Sequence, residues 1–144
     1  MTGVPAYDDG NIFAKILRGE IPCHRVFEDD VALAFMDVMP RVPGHVLVVP
    51  KAPSRGLLDA SPDTLAALMP RVQRVAAAVV AAMEADGLTI TQYNGVAGGQ
   101  SVFHLHFHLL PRHDNQGLKP EGGPMEEPEA LAEIADRIKA RLPE

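Results

Sequence analysis

Three of the chain's six histidines stand at every second position of FHLHFHLLPR (103–112): His104, His106 and His108, with Phe103, Leu105, Phe107 and Leu109 between them. In an extended chain alternate side chains point to opposite faces. The spacing therefore predicts one face of three imidazoles with Leu110, and an opposite face of four apolar residues that seek a core. Imidazole titrates near neutrality, so it can attack, carry a proton or bind a metal at pH 7.

Three chemistries fit such a face. A solvated strand side that happens to use histidine accounts poorly for strict alternation. A zinc site wants a fourth ligand or an open catalytic position, and no neighbouring carboxylate or thiol presents itself. Nucleophilic attack on a phosphoryl group needs a partner to fix the tautomer and donors for the phosphate oxygens. The preceding GGQS offers both, with Gly98 and Gly99 allowing close backbone approach and Gln100 and Ser101 bringing polar groups. A glycine-rich loop alone is a weak phosphate signal; joined directly to three alternating histidines it is a strong one.

The elements that must position these groups can be read along the chain. Residues 1–10 read as a loose arm, and NIFAKILRGE (11–20) as a short amphipathic helix stopped by Gly19. Strands are expected at 24–29 and 31–37, joined by an acidic turn at Asp29-Asp30, and at 45–50 after the loop 39–45. Ser61-Pro62 begins a helix expected to reach about Ala85 and to end at Gly87, with Pro70 kinking or breaking it. Residues 88–94 read as a strand, 94–101 as a glycine-rich loop and 102–110 as a strand. A tail rich in Pro and Gly then leads to a last helix beginning at Pro128. Five strands, the first of them adjacent in sequence, imply an α+β domain: an antiparallel five-stranded sheet with helices packed on one face.

The 144 residues suit a single domain, and 47% hydrophobic with 22% charged residues is a globular balance. A net charge of −6 argues against a nucleic-acid partner while leaving room for a small phosphorylated ligand. Cys23 is the only cysteine, which excludes an intrachain disulfide and a Cys-rich zinc site. The start, MTGVPAYDDG, lacks a secretory apolar run. The longest apolar run, Val75 to Met83, falls short of the ~20 residues a bilayer requires. These absences lead us to expect a cytoplasmic protein with no membrane partner.

His104-Leu105-His106-Phe107-His108-Leu109-Leu110 resembles the signature of the histidine-triad family, and NIFAKILRGEIP, LAFMDVMPRVPGHVLVVPK and NGVAGGQSVFHLHFH resemble its other segments in order. The likeness runs over roughly residues 11–112, within a single domain spanning 1–144 whose tail, 113–144, is variable. The resemblance implies that His106 attacks the α-phosphorus of a nucleotide and forms a nucleotidyl-histidine intermediate. His108 is implied to touch the phosphate and aid the leaving group, with His104 and His45 in support. Asn94, Gly99, Gln100 and Ser101 match phosphate-binding positions and Asp37 a ribose-binding carboxylate. Ile12, Phe13, Ile16, Phe35 and Val38 match an apolar slot for the base. It implies no cofactor, and a homodimer whose sheets join.

Many bacterial relatives hold structural zinc with Cys-x-x-Cys in the first helix and a histidine after the Val-Pro-Lys segment. Those positions here read Asn11, Ala14 and AlaProSer, so no metal is expected. The implied substrate is a purine nucleotide or nucleoside phosphoramidate. Asn94 looks like the phosphoramidase branch, while LeuLeuProArg after the triad occurs also in diadenosine polyphosphate hydrolases. A nucleotide-binding module acting through a protein partner would use the same residues.

Overall fold

Asn11 starts the first helix by accepting the Ala14 N–H on its Oδ1 at 2.9 Å, and α1 (Ile12–Leu17) follows. The computed structural model describes residues 3–143; Met1 and Thr2 of the expected arm, and Glu144 at the end of the tail, lie outside the described residues. Strands β1 (Arg25–Glu28), β2 (Ala32–Met36), β3 (Val46–Pro50), β4 (Gly87–Thr91) and β5 (Phe107–Arg112) form one antiparallel sheet in the order β1-β2-β3-β5-β4.

The sheet is a middle layer with both faces covered, not one as the sequence suggested. Ala32, Ala34 and Met36 of β2 and Val46 and Val48 of β3 join the core beneath α2 (Pro62–Met83) and α3 (Pro128–Lys139). Their alternates Leu33, Phe35, Leu47 and Val49 pack with Phe13 on the other face. This double burial explains why β2 and β3 read as continuous apolar runs.

Ser61 Oγ caps α2 by accepting the Thr64 N–H at 3.0 Å. Pro70 does not break the helix. It is exposed, while Leu68, Val72, Val75 and Val79 hold both halves against the sheet. The helix stops at Glu84 in the left-handed conformation, φ 49°, and Gly87 instead opens β4.

The triad segment departs most from expectation. Regular strand begins at Phe107, so only His108 of the three histidines lies within β5. Upstream, Leu105 N–H donates to the Ser54 carbonyl at 2.9 Å and the His104 carbonyl is taken by a side chain. Leu105 and Leu109 enter the core as expected, but Phe103 is half-buried with the Arg55 guanidinium 4.0 Å above its ring.

Candidate active site

β5 sets the first functional side chain. Leu47 pairs with His108 and Val46 with Leu109, so His108 shares the α1 face of the sheet with Leu47. His106 lies beside it, ring centroids 5.0 Å apart, with the ring of Phe13 edge-on at 4.9 Å. The decisive contact of His106 is with its own backbone: Nδ1 stands 2.7 Å from the His104 carbonyl oxygen. A carbonyl only accepts, so Nδ1 carries the proton and Nε2 of the neutral ring bears the free lone pair. Burial pushes the His106 pKa below the ordinary histidine value.

A similar deduction orders the next pair. The Arg41 backbone N–H donates to His45 Nδ1 at 3.1 Å, which leaves the His45 proton on Nε2. That N–H donates to His108 Nδ1 at 2.9 Å, and so His108 presents an Nε2–H. Burial first, then neighbouring cationic partners, lowers His45 to about 3 and His108 to about 4. His45 Nε2 also lies 3.5 Å from Asp37 Oδ2, but with a neutral ring this is an N–H facing a carboxylate, not an ion pair. Asp37 Oδ1 accepts the Met39 N–H at 2.8 Å, and burial raises its pKa.

His104 sits behind the other two and is fully packed away. Its Nε2 donates to the Pro50 carbonyl at 2.8 Å, so its Nδ1 accepts, and the Tyr7 hydroxyl donates to it at 2.6 Å. Asn11 Nδ2 in turn donates to the Tyr7 oxygen at 3.0 Å. The expected loose arm is therefore tied down at Tyr7, ninety-seven residues from its partner.

Two cavities meet at the histidines. An apolar one of about 390 Å³ is lined by all five residues expected to hold a base, Ile12, Phe13, Ile16, Phe35 and Val38, together with Met39 and Met125. A more polar one of about 280 Å³ is lined by Arg41, His45, Tyr93, Gly99, Glu121 and Gly122. Asp37, Met39, Ser101, His106 and His108 border both.

Gly99 and Ser101 thus stand at the site, but Asn94 and Gln100 face away from both cavities. Asn94 Oδ1 accepts from Leu57 N–H and Gln92 Nε2, and its Nδ2 donates to Gln92 Oε1. Buried Gln100 donates to the Arg55 and Val102 carbonyls and accepts the Gly95 N–H. Both side chains are spent holding the loop from behind.

Tyr7, Arg41, Tyr93, Glu121 and Met125 were missed in the sequence. Four of them approach from segments with no periodic pattern, and Tyr93 lies just past the end of β4, where the expected strand 88–94 gave it no distinguishing signal. Among the described residues, Asp37, His45 and His108 form the one group whose ligand atoms lie within 4.8 Å of one another, but His45 and His108 already share a proton there. Of the positions matched to the expected zinc ligands, Asn11 is spent capping α1 and Ala14 offers only a methyl group, so the donor set does not fit that ion.

A profile of the HIT domain matches residues 18–115. The chain is 37% identical over 107 residues to adenylylsulfatase HINT3 of Arabidopsis thaliana, covering 74% of this chain and about half, 54%, of that relative's length. Adenosine 5'-monophosphoramidase HNT1 of Saccharomyces cerevisiae is 34% identical over 144 residues, covering 99% of this chain and 89% of that one. The crystal structure of a Hit-like protein involved in cell-cycle regulation from Bartonella henselae superposes with a TM-score of 0.89 at 50% identity, covering 95% of this chain and all of that one.

Proposed function

The chain belongs to the HIT-domain, or histidine-triad, family of nucleotide-binding hydrolases, and we propose that it is a purine nucleoside phosphoramidase working through a covalent nucleotidyl-histidine. The observation that carries this reading is the 2.7 Å bond from His106 Nδ1 to the His104 carbonyl. It fixes the attacking nitrogen before substrate arrives, so no reorganisation is needed at the moment of attack.

The base enters the apolar cavity, and Asp37 Oδ2 accepts from the ribose hydroxyls at its rim. The phosphoryl group sits between Gly99, Ser101 and the two histidines. Its negative charge raises the proton affinity of His108, and Asp37 gives the His45 N–H a second acceptor at 3.5 Å once His108 is protonated. His106 Nε2 then bonds to phosphorus while the phosphorus–nitrogen bond breaks. Its electron pair stays on the leaving nitrogen, which takes the His108 proton and departs as an amine. Neutral His108 next accepts a proton from water as that water attacks phosphorus and returns His106 to its starting state. All of these groups act in the cytoplasm on this reading, and none requires a cofactor.

Rapid quench with radiolabelled adenosine phosphoramidate tests the proposal. Label should appear on His106, His106→Ala should abolish labelling and turnover with nucleotide binding near normal, and His108→Ala should slow turnover by ~10²–10⁴. Label on His104 or His108, or undiminished turnover of His106→Ala, sinks the mechanism. Faster hydrolysis of diadenosine polyphosphates than of phosphoramidates would place the enzyme with the other branch.

A further inference from the structure

The polar cavity is walled on one side by the chain between β5 and α3. This segment is fixed to the loop that carries Asp37 and His45. Lys119 N–H donates to the Arg41 carbonyl and Arg41 Nε donates to the Lys119 carbonyl, both at 2.8 Å, and Glu126 N–H donates to the Val38 carbonyl at 2.9 Å. The clasp sets Glu121 at the cavity wall, its Oε1 3.7 Å from the Arg41 guanidinium.

Before substrate binds, the charged lining of this cavity is then Arg41 against two carboxylates, Asp37 and Glu121, since burial keeps the histidines neutral. Arg41 is largely covered, at 22% exposure of its side chain, and is engaged by both Lys119 and Glu121. The Glu121 side chain is 50% exposed and lines the cavity beside the arginine. Its charge reaches across the site, for it helps raise the proton affinity of Asp37. If the base occupies the apolar cavity, the group on the far side of the phosphorus must occupy this one, because the two cavities meet at His106 and His108.

We propose that Glu121 builds a leaving-group subsite for amines bearing a further positive charge, such as a diamine or a basic amino-acid side chain, and disfavours anionic leaving groups. The inference rests on the phosphoramidase reading above. The bond changes are those already given. The difference is that the departing amine carries a second, ammonium end that lies beside Glu121 while the phosphorus–nitrogen bond breaks.

Two adenosine phosphoramidates of matched length test it, one N-linked to ethylenediamine and the other to β-alanine. Wild type should prefer the cationic substrate in kcat/KM by about tenfold, the product of a modest exposed attraction in one substrate and a similar repulsion in the other. The preference should shrink toward about twofold in Glu121→Gln, persist in Glu121→Asp, and weaken as salt rises. A loosened tail would change both substrates alike, so the ratio isolates charge. A wild-type ratio near one, or a ratio that Glu121→Gln leaves in place, overturns the subsite while His106-dependent turnover stands. Turnover of both substrates by His106→Ala overturns the underlying reading instead.

Discussion

His106 obtains its tautomer from a carbonyl two residues earlier in its own chain, and His108 obtains its own from His45. Burial disfavours a second proton on either ring, which gives stability a defined pH dependence. Unfolded histidines protonate near 6.5, whereas folded His108 and His45 do so only near about 4 and about 3. The unfolded state therefore binds more protons throughout that window, and stability falls as pH drops below about 6.5. Asp37, whose pKa burial raises, works in the opposite sense as pH climbs through the carboxylate range. Urea unfolding from pH 7 to pH 4 should show a falling midpoint; a constant one would mean the folded histidines titrate normally. Tyr7→Phe probes the hidden partner of His104. It leaves Nδ1 buried without a donor and should cost about 1–3 kcal/mol by the same unfolding measurement, with the nucleophile retained. The triad itself was legible because alternation is a local signal. Tyr7 was not, because a contact across ninety-seven residues leaves no trace in spacing.

At the scale of elements, the loop between β2 and β3 carries most of the site's precision. Gly44 has φ 91°, and a Cβ there would lie 2.7 Å from Met83 Cγ and 3.0 Å from Pro111 Cγ. Gly44→Ala should therefore displace His45 and destabilise the fold by about 1–3 kcal/mol, read as a lowered urea midpoint together with slower turnover. Wild-type behaviour in both assays would remove the loop from this role. Asp37, at the other end of the loop, faces the ribose on our reading. Asp37→Ala should raise KM more for ribonucleoside than for 2′-deoxynucleoside phosphoramidates, at ~1.5–3 kcal/mol per lost charge-assisted bond. Equal losses for the two sugars would assign Asp37 to holding the loop. These elements were readable to within a few residues wherever periodicity governed, as in α1, β2, β3 and α2. They were misread where tertiary contacts replaced local pattern. The Leu105 N–H given to Ser54 delays β5 to Phe107, and a left-handed Glu84 ends α2 ahead of the expected glycine. Asn94 and Gln100 show the same limit in the site, because residue type and loop position do not say which way a carboxamide turns.

For the whole molecule, the question is what completes the sheet. One outer strand, β1, packs against α3. The other, β4, ends the sheet with Ile90 47% exposed, and its neighbour α2 exposes Met69 at 43%. An open strand edge with apolar side chains is an aggregation hazard unless another strand pairs with it. The antiparallel geometry of every pairing in the sheet suits a second copy of β4 related by a two-fold axis, which would give one continuous sheet of ten strands. We therefore expect a homodimer joined along β4, with about twice the 15.5 kDa chain mass by light scattering at micromolar concentration. Thr89→Pro removes a backbone donor from the middle of this strand and also strains its pairing with Leu110, so it is a poor probe. Ile90→Lys is the better one. It places a charge on the exposed apolar position without touching the backbone, and should shift the mass toward the monomer while His106-dependent turnover continues. A wild-type chain that scatters as a monomer would leave β4 a free edge and count against the dimer outright.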